Sequence, residues 1–330
     1  MIYDENGRAF PSLKAACKAH SIPDGGHLYT RLRAYGEVRV KGHVFTEGKL
    51  HKDETNTQLS ASDISLLRRM KERYEPDELE RIASGEGLAR PIEYPKIVLT
   101  GKHHRMMVIS DTHIGSKYSP YVWHELAART AREERCECVL HCGDLTEGVK
   151  TGRVGSQMYE LTDLGFEAQR DRAIELMSEY KIPIYIISGN HDAFFQENTG
   201  ADIVQAVADK VPGMVYLGYG TADIEVDGAN LCLWHGGDGN SYALSYRLQK
   251  IVETFTGGTK PAILLAGHVH KFCYFFDRNV HAVSVPTMQM QTKWMRDKRL
   301  AAHTGFLILD FDVEDGCVCN LSVRLFPFYA

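Results

Sequence analysis

Five short polar clusters, each placed where an apolar run stops, constrain this chain more than any other feature. They are Asp111-Thr112-His113, Gly143-Asp144, Gly189-Asn190-His191-Asp192, His235-Gly236-Gly237 and Gly267-His268-Val269-His270. The runs that deliver them, Arg105–Ser110, Cys138–Cys142, Ile184–Ser188, Leu231–Trp234 and Ala262–Ala266, read as buried strands. Polar residues at the carboxyl ends of such strands are where open α/β sheets place their sites. A loop there can aim a side chain that the strand itself could not hide, and a glycine beside it lets the backbone turn sharply. The clusters supply three Asp, one Asn and five His. Imidazole and carboxylate together suit divalent transition metals, and a shared carboxylate can bridge a pair. Two such ions about 4 Å apart activate water and stabilise an in-line displacement at phosphorus.

The ordered set resembles the calcineurin-like metallophosphoesterase superfamily, whose pattern is D-x-H, G-D, G-N-H-D/E, H and G-H-x-H, over roughly residues 104–325. The resemblance implies a four-layer α/β/β/α sandwich of two mixed sheets. It implies that Asp111, His113 and His270 hold one metal, that Asn190, His235 and His268 hold the other, and that Asp144 bridges them. It makes His191 the proton donor to the leaving oxygen, with Asp192 and Glu147 as its catalytic companions and Glu147 orienting His191. The cofactors expected are two divalent transition metal ions, Mn first, with Fe, Zn or Ni as alternatives. A metal-bridging hydroxide would attack phosphorus.

Departures from the protein-phosphatase branch narrow the substrate. That branch reads G-D-x-x-D-R-G, whereas this chain reads Gly143-Asp144-Leu145-Thr146-Glu147-Gly148, without the phosphate-gripping Arg. Asp111-Thr112-His113-Ile114-Gly115 and the Gly-Asn-His-Asp spelling look like the nuclease branch, which includes a double-strand-break-repair exonuclease and the small subunit of archaeal family-D polymerase. Lys293-Trp294-Met295-Arg296-Asp297-Lys298-Arg299 mixes cations with an aromatic ring, which suits phosphates and a stacked base. Lys117, Tyr118 and Arg247 are further candidate contacts. The expectation is a phosphodiesterase acting on nucleic acid, an exonuclease being one form of it. The alternatives are a phosphomonoesterase or cyclic-nucleotide phosphodiesterase, and a non-catalytic nucleic-acid-binding scaffold.

At 330 residues the chain has room for one large domain and an appendage, expected as residues 1–48, 49–103 and 104–330. Within 1–48, Ser12 caps a helix over Leu13–Ala19, a second helix is expected over Leu28–Tyr35, and Val38–Phe45 alternates like a hairpin. This order resembles the small helix-turn-helix modules beside phage and intron nucleases, with Arg31 and Arg33 as candidate nucleic-acid contacts. Seven Lys or Arg against five Asp or Glu leave that segment only mildly basic, so docking or self-association, as a homo-oligomer, is an equal alternative to nucleic acid. Residues 49–103 read as a polar, partly helical connector, with a capping box at Ser60–Asp63 and a helix from Pro76 to Ala83. In the large domain, helices are expected over Asp163–Lys181, Ala201–Lys210 and Tyr242–Phe255, and late strands over Gly305–Phe311 and Cys317–Leu325 as part of a second sheet. The formal charge of −5 excludes a global electrostatic case for polyanions. Eight scattered cysteines without C-x-x-C read as reduced thiols. With no signal-like start and no membrane-length apolar stretch, the expectation is a cytoplasmic protein without membrane contact.

Overall fold

The computed structural model describes residues 95–329 apart from 151–156, 238–242 and 257–259. Before them it describes residues 2–47 apart from 5, 7, 24–27, 29–31 and 33–36, together with Pro76 and Leu79. The chain divides into two units, Met1–Pro91 and Ile92–Ala330.

In the first unit, β1 (Ile2–Tyr3), β2 (Ala9–Phe10), β3 (Glu37–Val40) and β4 (His43–Glu47) form an antiparallel sheet in the order β2-β1-β4-β3. Helix α1 (Leu13–Ala19) starts where expected, with the Ser12 hydroxyl accepting from Ala15 N at 3.2 Å. The hairpin read from Val38–Phe45 is β3–β4. The expected helices and hairpin gain two further strands, because the hairpin is half of a four-stranded sheet. The other half was hidden by its length, since a two-residue strand has no period. What makes it is the turn between β1 and β2, where Asp4 Oδ1 accepts from Asn6 N and Arg8 N at 3.1 and 2.8 Å. Leu13, Ala16, Cys17, Leu28, Leu32, Val38 and Phe45 share one buried core. Leu28 and Leu32 are helical, whereas Arg31, Arg33 and the Ser60–Asp63 capping box lie outside the described residues.

In the second unit, strands with two apolar faces need cover on both sides. β5 (Ile97–Leu99), β6 (His103–Ile109), β7 (Cys138–His141), β8 (Ile184–Ser188), β9 (Met214–Tyr219), β10 (Thr221–Val226), β11 (Ala229–Trp234), β12 (Ile263–Ala266), β13 (Cys273–Asp277), β14 (Val280–Ser284), β15 (Gly305–Glu314) and β16 (Cys317–Pro327) build two six-stranded sheets. One runs β16-β15-β6-β7-β8-β9 and the other β13-β14-β12-β11-β10-β5, and both mix parallel with antiparallel pairs. Alternation assigns the layers. Met106, Val108, Cys138 and Leu140 face Leu231, Leu233, Ile263 and Leu265 between the sheets. Their neighbours Met107, Ile109 and Val139 pack outward against α2 (Tyr121–Glu133), α3 (Gly165–Ser178), α4 (Asn190–Thr199) and α5 (Ile203–Ala208). On the far side, Cys232, Leu264 and Ala266 pack against Leu248 and Val252 of α6 (Tyr246–Thr254). This is the α/β/β/α sandwich.

Three expectations change. Ile97–Leu99, assigned to the connector, pairs with β10 as an edge strand, so the second unit starts ahead of residue 104. The late strands join the sheet that carries Asp111, because both faces of β15 are buried and it takes an interior place beside β6. The stretch after Gly189 is helix rather than loop. Asp192 takes the Gly189 N–H at 2.9 Å as an N-terminal cap, and Gly200, at φ +77°, ends α4. Among the described residues, no helix is long and apolar enough to cross a membrane.

Candidate metal centre

Each polar cluster follows a strand end. Asp111 follows β6, Asp144 follows β7, Asn190 opens α4 after β8, His235 follows β11 and His268 follows β12. The loops are stitched together before any side chain is considered: Asp111 N donates to Gly143 O at 3.0 Å, His113 N to Asp144 O at 3.1 Å and Gly267 N to Trp234 O at 2.9 Å. The aim of the side chains requires unusual backbone. Asp111, His113, Asp144, His268 and His270 all lie at φ between +45° and +75°, a left-handed conformation sparsely populated by residues with a Cβ. Gly189 is needed for space instead, since a Cβ there would meet Asp144 Oδ1 at 2.2 Å and His235 Nε2 at 2.6 Å.

The side chains gather into three donor groups: Asp111 with His113 and His270, His113 with Asp144 and His191, and Asp144 with His235 and His268. Asp111 Oδ1 lies 3.2 Å from His270 Nε2, and Asp144 Oδ2 lies 3.1 Å from His235 Nε2 and 3.8 Å from His113 Nε2. Asn190 Oδ1 sits 3.3 Å from His235 Nε2. His113 Nε2 and His270 Nε2 face each other at 3.1 Å. Two imidazole nitrogens and a carboxylate pointed at one volume are matched by a cation. The outer ring nitrogens support that aim. His235 donates from Nδ1 to Cys142 O at 2.7 Å, and His113 Nδ1 lies 3.1 Å from Glu147 Oε2, so in both rings Nε2 is the nitrogen turned inward.

The electrostatics agree. Burial opposes charge on Asp111 and Asp144, yet His270 beside the first and His235 beside the second hold both carboxyls below their ordinary range. Burial likewise opposes an imidazolium at His235, but Asp144 and Asp111 raise its pKa to about 10. At His268 burial and the neighbouring His235 outweigh Asp111 and Asp144, and its pKa falls to about 4. The cluster draws positive charge inward.

Around this centre the expected catalytic residues separate. His191 donates from Nδ1 to the Glu147 carbonyl at 2.8 Å, and its backbone N–H donates to Asp144 Oδ1 at 2.8 Å. The Glu147 carboxylate was expected to orient His191. It lies 3.8 Å from His191 Nδ1, leans more closely toward His113 and accepts from Gln289 Nε2 at 2.8 Å, while the Glu147 carbonyl takes the Nδ1 proton of His191. Asp192 does not act at the cavity. Its buried carboxylate accepts from Leu145 N, Thr146 N, Thr146 Oγ1 and Gly189 N at 2.8–3.1 Å, tying the β7 loop to the start of α4. A cavity of about 840 Å³ opens over the centre, lined by Lys117, Lys293 and Trp294 as well as Lys150, Phe194 and Tyr159. Lys293 and Trp294 belong to the short helix α7 (Lys293–Asp297). Tyr118 and Arg296 stand behind that wall, the Tyr118 hydroxyl donating to Glu160 at 3.2 Å and the Arg296 guanidinium 6.0 Å from the Tyr118 ring. Arg247 lies elsewhere, over the Trp234 ring at 5.4 Å and on a separate small pocket.

Ser110, Thr287 and Gln289 went unread in the sequence. Ser110 Oγ donates to Asp111 Oδ2 at 2.5 Å, and Thr287 Oγ1 donates to Asp111 O at 2.9 Å.

The model of the calcineurin-like phosphoesterase superfamily domain matches residues 105–293. The chain belongs to the calcineurin-like phosphoesterase superfamily. Membership makes it a phosphoesterase and implies divalent metals, which the donor groups fit. A relative within reach of sequence comparison is the DNA polymerase II small subunit of Archaeoglobus fulgidus, 23% identical over an alignment 265 residues long that covers 66% of this chain and 54% of the relative. The chain thus spans about half the length of that curated relative. Among solved structures, an archaeal phosphodiesterase aligns with 67% of this chain and 99% of its own at 15% identity and a TM-score of 0.41. Yfce, a phosphoesterase from E. coli, aligns with 66% of this chain and 98% of its own at 12% identity and a TM-score of 0.37.

Proposed function

We propose that this calcineurin-like phosphoesterase is a two-metal phosphodiesterase that cleaves nucleic acid. The observation that carries the reading is the sharing of Asp144 between two donor groups, one with His113 and His191 and one with His235 and His268. Asp111, His113 and His270 would hold one ion and Asn190, His235 and His268 the other, with Asp144 between them. Two divalent ions held there would supply an activated water and neutralise charge developing on the phosphate, with Mn the first choice and Fe, Zn or Ni alternatives. His191 is fixed by the Glu147 carbonyl in the tautomer that leaves Nε2 for the substrate. A proton held on that nitrogen is delivered to the leaving oxygen as the ester bond breaks. Lys117 and Lys293 on the cavity wall offset the charge of flanking phosphates, and Trp294 offers a face to a base.

Nucleic acid as substrate is supported by the cavity's size and its lysines and aromatic rings. It is supported further by the relative named as a DNA polymerase subunit and by the missing phosphatase Arg. The test uses end-labelled single- and double-stranded DNA and RNA with Mn²⁺, beside a panel of phosphomonoesters and cyclic nucleotides. Polymer degradation that weakens steeply with salt is the expected result. Rapid monoester turnover without polymer cleavage would refute the substrate and leave the phosphoesterase.

A further inference from the structure

Phe194 has no part in the core, although its neighbour does. Phe195 is buried against Phe166, with ring centroids 5.4 Å apart, while Phe194 is half-buried and lines the cavity. It lies three residues after His191 on α4, and that spacing puts both side chains on one helix face. Their ring centroids are 5.1 Å apart. Lys150 Nζ stands 5.3 Å from the centre of the Phe194 ring. Among the described residues no carboxylate is paired with Lys150. By contrast Lys293 binds Asp297 at 2.7 Å and Lys117 donates to the Tyr159 carbonyl at 2.8 Å.

The placement of Lys150 is not that of a loose surface loop. Gly148 N donates to Gln169 Oε1 and Lys150 N to Gln157 Oε1, both at 2.9 Å, and Asn198 Nδ2 of α4 donates to Val149 O at 3.0 Å. The loop is pressed so close to α4 that a Cβ at Gly148 would meet His191 O at 2.2 Å. The backbone that carries Lys150 is thus held against α4, and its ammonium stands over the Phe194 ring beside the residue assigned to the leaving oxygen.

We infer that Phe194 and Lys150 form a subsite for the nucleotide on the leaving-group side, the ring stacking its base and the ammonium holding the phosphate beyond it. The inference rests on the phosphodiesterase reading and on the place of His191 in it. It makes the enzyme selective for an unpaired nucleotide on that side, since a base held in a duplex has no face to offer.

The test compares a short single-stranded oligonucleotide with a twin that carries an abasic tetrahydrofuran in place of the leaving-side nucleoside, that side being identified from the products. The wild type should cleave the base-bearing substrate roughly tenfold better, the order of one base–aromatic stack. Phe194→Leu, which keeps the volume and removes the ring, should collapse that ratio toward one, and Phe194→Trp should restore it. Lys150→Met should reduce the advantage of a substrate that carries a further phosphate on the leaving side. If the wild type cleaves both substrates and Phe194→Leu leaves their ratio unchanged, the subsite is wrong while the phosphodiesterase stands. If the wild type cleaves neither and turns over monoesters, the underlying reading has failed and this inference falls with it.

Discussion

Because the Glu147 carbonyl takes the Nδ1 proton of His191, any proton this side chain delivers must leave from Nε2. His191 shares a donor group with His113 and Asp144, and mutation is what distinguishes a proton donor there from a metal ligand. His191→Ala is expected to keep its divalent metal and to slow hydrolysis by about 10²–10⁴, most for aryl phosphodiesters with the poorest leaving groups. Asp144→Ala, which removes the carboxylate shared by two donor groups, should lose metal as well. Metal analysis beside a leaving-group series distinguishes the two, and loss of metal from His191→Ala would make His191 structural. Residues of this kind were legible because each follows an apolar run with a glycine near it. Gln289, Ser110, Thr287 and Phe194 were not. Gln289 reaches Glu147 across 142 positions of chain, and a glutamine in a loop carries no local mark of a partner so distant. Phe194 and Phe195 are adjacent and alike, and only the orientation of α4 decides which one faces the cavity.

Among the elements, α2 carries a titratable group that takes no part in the site. His124 is fully buried, neither ring nitrogen has a hydrogen-bond partner among the described residues, and burial pushes its pKa from an ordinary 6.5 down to about 4. The folded pKa lies below the unfolded one, so between them the unfolded chain binds the extra proton. Stability from this residue is then complete above about pH 6.5 and is lost as the pH falls toward 4. His124→Leu should remove that dependence. Relative to the variant, the wild type should lose about 2 kcal/mol in urea unfolding between about pH 7.5 and about pH 5. Equal pH profiles would show that His124 takes up its proton without unfolding. The helix expected over Asp163–Lys181 matches α3 closely, and the turn between β10 and β11 is made by Asp227 and Gly228, both at positive φ. Strands were less legible where they were short or at an edge. β5 has three residues, and it is a strand only because β10 lies beside it.

At the scale of the whole molecule, the two units bury separate apolar sets. The first unit buries its own apolar set from Ile2 to Phe45, so it does not depend on the second for a hydrophobic interior. A chain beginning at Ile92 is expected to fold and to hydrolyse bis-p-nitrophenyl phosphate with Mn²⁺ at a rate close to that of the full chain. Its degradation of long nucleic acid should weaken, and more so at higher salt. Undiminished polymer cleavage would remove any guiding role for residues 1–91. The left-handed backbone at five of the gathered residues has another outcome, visible in a calorimeter rather than an assay. Each such residue opposes folding by about 1–2 kcal/mol, so the protein is less heat-resistant than its fold allows, and it is so because of its chemistry. His268 is the clearest case, at φ +75° and only partly buried. With a chelator present, His268→Asn, a residue that tolerates this backbone, should melt a few degrees above the wild type. A descendant of this chain that stopped catalysing and was kept for its shape alone would drift toward such substitutions. Its higher melting temperature would then record the activity it had lost.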